Sequence, residues 1–417
     1  MHRVVILVTV GASLACGQAN KSVIQQKMEK ALHSNITEFW FPRSIDKTNG
    51  GYTISAGPGG ESKGPGTKGI VTQARMLWFY ARLARTGHRQ TEMLTAAEHG
   101  FRFLRDKMWD RQNGGFYWEV DATGNQRIKP KKHLYGQAFA LYALSEYYAA
   151  TGRGEVLSLA SRLFDLIERK AHDNQYGGYR ESFREDWNPD NEEGYMGDSK
   201  LKLMNTHLHL MEAMAAYWRA SKSPAAYTRL RELIDIQTNA VVRKYLPACT
   251  DKYYADWSPR LDSAQYARVS YGHDLENVWL IMDAVDAAGV PVHPFVDLFR
   301  GLWQYSLQYG FDSQRGGFYD SGPLGRPADR KEKVWWVQSE ALVSALRMWK
   351  LTGDSKYLDA FEKTWQFVDQ HQIDWTHGEW HSTILPDLSR RGDKADVWKA
   401  AYHNGRAMIE CLELLRK

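Results

Sequence analysis

One short phrase, repeated along the chain, constrains the fold more than any other feature. It is an aspartate followed a few residues later by glycines. It reads DKTNGGY from Asp46, DRQNGGFY from Asp110, DNQYGGY from Asp173 and DSQRGGFY from Asp312, with a weaker DWTHGEW from Asp374. Successive copies lie about 60 to 80 residues apart, and the long gap after Asp173 leaves room for a sixth, placed near Asp251 to Tyr254 without its glycines. Aspartate, asparagine and glycine are the residues that accept the positive φ of tight turns. A period of this length signals an array of supersecondary units. Between the phrases the apolar residues fall at helical spacing, as at Ile70, Ala74, Leu77, Trp78 and Ala81. Residues 69–85 end in Thr86-Gly87, 134–150 in Thr151-Gly152 and 337–351 in Thr352-Gly353, and a second helical stretch follows each. A helix closed by glycine and followed by another is a helical hairpin. Six hairpins predict an all-α (α/α)6 barrel with the glycine phrases as loops or short strands at one rim of a central cavity. An open solenoid is the alternative, and it should show shorter, more uniform repeats.

No linker or low-complexity run divides residues 21–417, which read as one barrel domain. The first 20 residues differ: Arg3 precedes an apolar run from Val4 to Leu14, then small residues and Cys16. That is the pattern of a signal peptide, too short to stay as a membrane span. Ser13 to Cys16 resembles a lipoprotein cleavage site, so attachment to a membrane is expected only through an acylated Cys16. Export to the periplasm or outer membrane follows, and a cytoplasmic location if the segment is not a signal. Three cysteines in all build no disulfide framework. The net charge of +5 is dispersed, which excludes the basic stripe of a nucleic-acid binder. The 16 Trp and 22 Tyr suit stacking on sugars, although packed helical repeats also use many aromatics. Residues 55–69, rich in glycine, proline and charge, read as a loop beside the first inner helix and lack phosphate-loop spacing.

Several segments that open predicted inner helices carry polar residues where a core would take leucine. They hold Arg75; Asn205, His207, His209 and Glu212; His273 and Glu276; Trp336 and Glu340; and His403 with Arg406. Asn205 and His209 share a helical face, as do His273, Glu276 and Trp279, and Trp336 and Glu340. A carboxylate beside an imidazole raises its basicity, so Glu276 is expected to tune His273. One such histidine alone is usually structural, but burying this many polar groups without use is costly. His209, His273, Glu276 and His403 offer metal-ligand chemistry, yet neither H-x-x-x-H nor H-E-x-x-H occurs, and no metal is expected.

On these residues the chain resembles the cellobiose/mannobiose 2-epimerases of the N-acylglucosamine 2-epimerase superfamily, from about residue 22 onward. The motifs are QARMLWFYARL around Arg75, HLYGQAFALYAL around Tyr135, NTHLHLMEA at 205–213, GHDLENVWL at 272–280, WWVQSE at 335–340 and KAAYHNGRA at 399–407. The resemblance implies a cofactor-independent enzyme that opens the reducing-end ring of a β-1,4-linked disaccharide and inverts C2 through a cis-enediolate. His273 and His403 would be the acid/base pair, tuned by Glu276, with Arg75 and His209 stabilising negative charge. Tyr135, Asn205 and Glu340 would hold hydroxyls, and Trp279, Trp336 and Trp398 would stack on sugar rings. A monomer acting on cellobiose or mannobiose is expected, with some ketose as by-product. The rival within the superfamily is a mannose isomerase or N-acylglucosamine epimerase. From other classes, an (α/α)6 glycoside hydrolase would use Glu276, Glu340 or an aspartate as acid and base, and a sugar-binding lipoprotein would leave the histidines idle.

Overall fold

The computed structural model describes residues 21–416. The expected signal segment, with Cys16, lies outside the described residues. Among those described, no helix is long and apolar enough to cross a membrane. Twelve helices carry the fold: α1 (residues 21–40), α2 (Ile70–Arg85), α3 (Gln90–Phe103), α4 (Leu134–Thr151), α5 (Gly154–Ala171), α6 (Met204–Ser221), α7 (Pro224–Asp235), α8 (Tyr271–Ala287), α9 (Val296–Gly310), α10 (Trp335–Thr352), α11 (Ser355–Phe367) and α12 (His403–Arg416).

The even-numbered helices form an inner ring and the odd-numbered ones an outer ring. Composition sorts them. In α4 the residues from Leu134 to Leu141 are buried without a break, and a helix apolar on all sides belongs in an interior. In α5 the buried residues are Val156, Leu159, Ala160, Leu163, Phe164, Leu166, Ile167 and Ala171, one stripe at helical spacing, while Glu155, Arg162 and Arg169 face water. Five hairpins run consecutively, α2–α3 to α10–α11. The sixth joins the two ends of the chain: α12 packs on α1, and α12 also meets α2 to close the ring. That last approach is close, because a Cβ on Gly405 would come within 2.6 Å of the Phe79 ring.

The glycine phrases stand at one rim, between each outer helix and the next inner one. Each is bracketed by a bridge seven residues wide: Ile45 with Tyr52, Trp109 with Phe116, His172 with Tyr179, Phe311 with Phe318 and Ile373 with Trp380. The sixth copy is not at Asp251. The matching bridge joins Val242 and Cys249, and Arg243 N–H donates to the Ala248 carbonyl at 2.9 Å, as Asp110 N–H does to Gly115 at 2.8 Å. Arg243 stands where the other copies have aspartate, and Pro247 and Ala248 replace the glycines, which hid the turn.

A buried ion pair locks each of the other five phrases to the chain that leads toward the next inner helix. Lys68 Nζ lies 2.8 Å from Asp46, Lys132 2.8 Å from Asp110, Lys202 2.8 Å from Asp173, Lys333 2.8 Å from Asp312 and Lys394 2.7 Å from Asp374. An amide clamp adds to it: Gln73, Gln137 and Gln338 each accept from and donate to the peptide after the glycines, at Tyr52, Phe116 and Phe318. Short antiparallel strands then tie the inner helices α2 to α10 to the following phrase, as Lys132–His133 pairs with Ser182–Phe183, and an isolated bridge from Ala395 to Ala56 stands in before α12. The rim therefore fixes where each inner helix begins, and with it the side chains of its first turns.

These pairs predict the acid behaviour of the fold. Burial opposes ionisation of Asp110, but Lys132 and Asn113 outweigh it and hold its carboxyl down, to about 2. Its contribution is full above the ordinary carboxylate value and is lost as the pH falls from about 4 toward 2. Lys132→Met, which strands the buried Asp110, should cost about 3 kcal/mol in urea unfolding at pH 7. That deficit should shrink when the measurement is repeated near pH 3, and an equal cost at both pH values would contradict the assignment.

Candidate active site

The polar residues picked out by helical spacing converge at the N-terminal ends of the inner helices. At the centre is Arg406, one turn into α12 and 1% exposed. Its Nη2 donates to Glu276 Oε1 at 2.7 Å and to Glu340 Oε1 at 2.9 Å, and its Nη1 donates to Glu212 and to the Tyr402 hydroxyl. Tyr402 in turn donates to Glu212 Oε2 at 2.8 Å. Three carboxylates thus share one guanidinium in a dry interior, where unpaired charge is expensive. Burial together with the charge on Glu340 pushes Glu276 well above the usual carboxylate range. Burial raises Glu340 too, against the pull of Arg406. Burial also opposes ionisation of Glu212, but Arg406, His209 and Tyr402 hold it down, to about 2.

The histidines stand on this network. His403 Nδ1 lies 2.6 Å from Glu340 Oε1, whose other oxygen accepts from the Trp279 indole N–H at 2.8 Å. Burial, then the positive charge of Arg75 and Arg406, lowers the His403 imidazole well below its ordinary value, so it is neutral at pH 7. His209 Nδ1 lies 3.0 Å from Glu212 Oε2, and burial brings its imidazole down to about 4. His273, half-buried on the first turn of α8, is lowered by burial against the opposing charges of Asp251, Asp320 and Glu340. His273 and His403 face the same indole: the Trp336 ring is 4.8 Å from the first and 5.7 Å from the second, centroid to centroid.

Arg75 completes the group. Its Nη1 donates to the Trp398 carbonyl at 2.7 Å and its Nη2 to the Tyr135 hydroxyl at 3.1 Å, while Nε has no partner. The guanidinium lies over Phe139 and Tyr402, at 4.3 and 4.9 Å. Burial raises the Tyr135 hydroxyl, and Arg75 and the Asn205 amide pull it the other way. The Asn205 carbonyl oxygen is buried without a hydrogen bond. Outside Tyr135 the aromatics continue: Trp398 is 6.2 Å from Trp118, which is 5.4 Å from Tyr195.

Three expected placements differ from what the structure holds. Glu276 does not touch His273; it pairs with Arg406 and lies 4.0 Å from His209 Nε2. The two share a helix face by sequence, but Glu276 sits a turn deeper, inside the ring. Trp279 is 3% exposed, with Arg406 over its ring at 4.7 Å, so it lies beneath the histidines and not on the aromatic surface around Trp336. Glu340 spends both oxygens on protein donors and is not free to bind a hydroxyl. His207 is structural, with Nε2 accepting from Tyr179 N–H at 2.9 Å in the place the glutamine clamps occupy elsewhere. Arg406, Glu212 and Tyr402 were not singled out as site residues, although Arg406 and Glu212 follow His403 and His209 by three and were readable on that ground. Among the described residues one trio of metal-ligating groups gathers, Glu276, Glu340 and His403, with ligand atoms within 4.8 Å of one another. Arg406 already supplies a cation between the two carboxylates.

Residues 51–407 match the family described as N-acylglucosamine 2-epimerase. A cellobiose 2-epimerase of Bacteroides fragilis is 32% identical over 399 residues, covering 94% of this chain and 99% of that protein. One from Ruminococcus albus is 33% identical over 399 residues, with 93% and 97% covered. The solved cellobiose 2-epimerase of Bacillus thermoamylovorans superposes with a TM-score of 0.87 at 29% identity, over 94% of this chain and 99% of that one. With these likenesses spanning the ring and every helix that feeds the site, the chain belongs to the N-acylglucosamine 2-epimerase family.

Proposed function

We propose that the protein is a sugar 2-epimerase acting on the reducing-end residue of a β-1,4-linked disaccharide such as cellobiose or mannobiose, without a cofactor. The observation that carries this reading is the pair of imidazoles, His273 and His403, turned toward one Trp336 indole. Inversion at C2 needs a proton removed from one face and returned to the other, so it needs two groups that exchange protons near neutral pH. Stacked on Trp336, an opened sugar chain would lie within reach of both. As one imidazole takes the C2 proton, negative charge develops on the C1 and C2 oxygens, and the other then protonates the opposite face of the enediolate. When His403 is the acceptor, its imidazolium is stabilised by Glu340 through Nδ1, while Trp279 and Arg406 hold that carboxylate in place.

Arg75 and His209 are the groups placed to meet the developing charge, aided by the partial positive ends of the surrounding helices. Tyr135 and Asn205 have polar atoms left to orient hydroxyls. Trp118, Tyr195 and Trp398 extend an aromatic surface beyond Arg75, which supports a second sugar ring and hence a disaccharide. Hydrolysis is disfavoured on geometry: Glu276 and Glu340 are both held by the same Arg406 nitrogen and cannot flank a glycosidic bond as separate acid and base.

Proton NMR of the protein with cellobiose, and with β-1,4-mannobiose, in deuterated water should show the C2 epimer with deuterium at C2. Free monosaccharide would point to hydrolysis, and turnover of mannose or N-acylglucosamine with both disaccharides inert would replace the substrate assignment. His273→Ala and His403→Ala should each lower kcat by at least about 10³-fold with substrate binding retained. Glu340→Gln should lower kcat on the order of 10²-fold with little change in KM, because it disturbs the orientation of His403 without removing it. Arg406→Met leaves the buried carboxylates without their cation, and it should destabilise the fold by about 3–5 kcal/mol in chemical denaturation.

A further inference from the structure

The ring has a second opening. At the C-terminal ends of the inner helices, opposite the glycine phrases, lies a cavity of about 430 Å³ walled by α2, α4, α6, α8 and α12. Its floor includes Glu212, Trp279 and Arg406, the reverse side of the network that carries His209 and His403. One wall is aromatic: the half-buried Tyr142 ring faces the cavity, and Trp78, 2% exposed, stacks behind it with centroids 5.4 Å apart and planes 20° from parallel. Nothing in the epimerisation scheme uses this space.

The lining describes what would fit. The four arginines in the wall are matched by four carboxylates, as Arg85 by Glu146 at 2.7 Å and Arg219 by Asp283 at 2.8 Å. A balanced wall gives no net attraction to an ion. Hydrogen-bonding capacity of both kinds is nevertheless left over. The Tyr142 hydroxyl has no partner among the described residues, and burial keeps it protonated and able to donate. Glu146 gives one oxygen to Arg85 and keeps the other free, and Arg82 donates through Nη2 alone. Flat aromatic surface, unspent donors and acceptors, and no net charge are together the recognition chemistry of a neutral polyhydroxylated molecule. We propose that this cavity is a second carbohydrate-binding site, sized for one or two sugar rings and set back to back with the active site.

A sugar held there would rest against Glu212 and Arg406. Its presence would be felt at His209 through Glu212 and at His403 through Glu340, so occupancy gives the enzyme a means of responding to sugar concentration apart from its substrate site. The test uses methyl β-D-glucopyranoside, whose blocked reducing end cannot open, so the result does not depend on whether the protein is an epimerase. Protein carrying 5-fluorotryptophan is titrated and followed by fluorine NMR, with Trp78 and Trp398 assigned from Trp78→Phe and Trp398→Phe.

The Trp78 resonance should shift saturably. In Ala216→Phe, which fills part of the cavity, that shift should vanish while the Trp398 response on the opposite rim persists. Tyr142→Phe, a milder change that removes only the free hydroxyl, should raise the Trp78 midpoint at least about threefold. A Trp78 resonance that does not move, or that moves with an unchanged midpoint in both variants, would overturn the proposal. Retained epimerase turnover or an unshifted melting curve shows that each variant is folded.

Discussion

Arg406 is the group on which the rest of the site depends. A guanidinium presents its N–H groups in a fixed plane, so one side chain can hold several carboxylates at set angles where an ammonium would act as a single point charge. Here Glu212, Glu276 and Glu340 come from three inner helices, α6, α8 and α10, and Arg406 from a fourth, α12. The cluster stitches two thirds of the ring together at the level of its first turns. It also sets protonation. With one cation among three acids in a dry interior, Glu276 and Glu340 are pushed up while Arg406, His209 and Tyr402 hold Glu212 down. His209 and His403 then each stand beside a carboxylate whose position is not negotiable, which fixes their rings before any substrate arrives.

The rim makes that convergence possible. An inner helix can deliver a side chain to the axis only if its start is held in register, and a misplacement of one residue turns the polar face by about 100°. The Asp–Lys pairs and the amide clamps do this holding outside the site, in chemistry that never meets the substrate. The division of labour explains why so many charged side chains are buried in one molecule. Those at the rim fasten the helices, and those at the axis gather into one buried cluster around Arg406.

The rim was also the most legible part of the sequence, because tight turns demand particular residues and those residues recur. Legibility failed where the chemistry changed. The copy before α8 has Arg243, Pro247 and Ala248 in place of aspartate and glycines, with Val269 where the lysine would stand. Its clamp is Asp274, which accepts from Cys249 N–H at 2.8 Å and whose carboxyl burial pushes well above the usual range. A phrase search has nothing to find there, although the backbone makes the same turn. Within the candidate site, helical spacing marked most of the polar side chains that the structure brings together, since period alone decides which side chains share a face. It could not assign partners. Spacing offers only neighbours on one helix, and so paired His273 with Glu276, whereas the bonds that matter run between helices, from His403 to Glu340 and from Arg406 to Glu276.

A motif on a single helix states which residues are present, and the closed ring states which of them can meet. Six inner helices closed into a ring leave few ways to arrange their first turns around an axis, so side chains from distant motifs are forced into one small volume. The two imidazoles illustrate the consequence. They come from α8 and α12, and nothing local in either segment indicates that they face one indole on a third helix, α10, which lies between them in the ring. The aromatic ring that separates the histidines is also the surface on which a sugar would lie. The same packing that fixes their spacing therefore also fixes that surface between them.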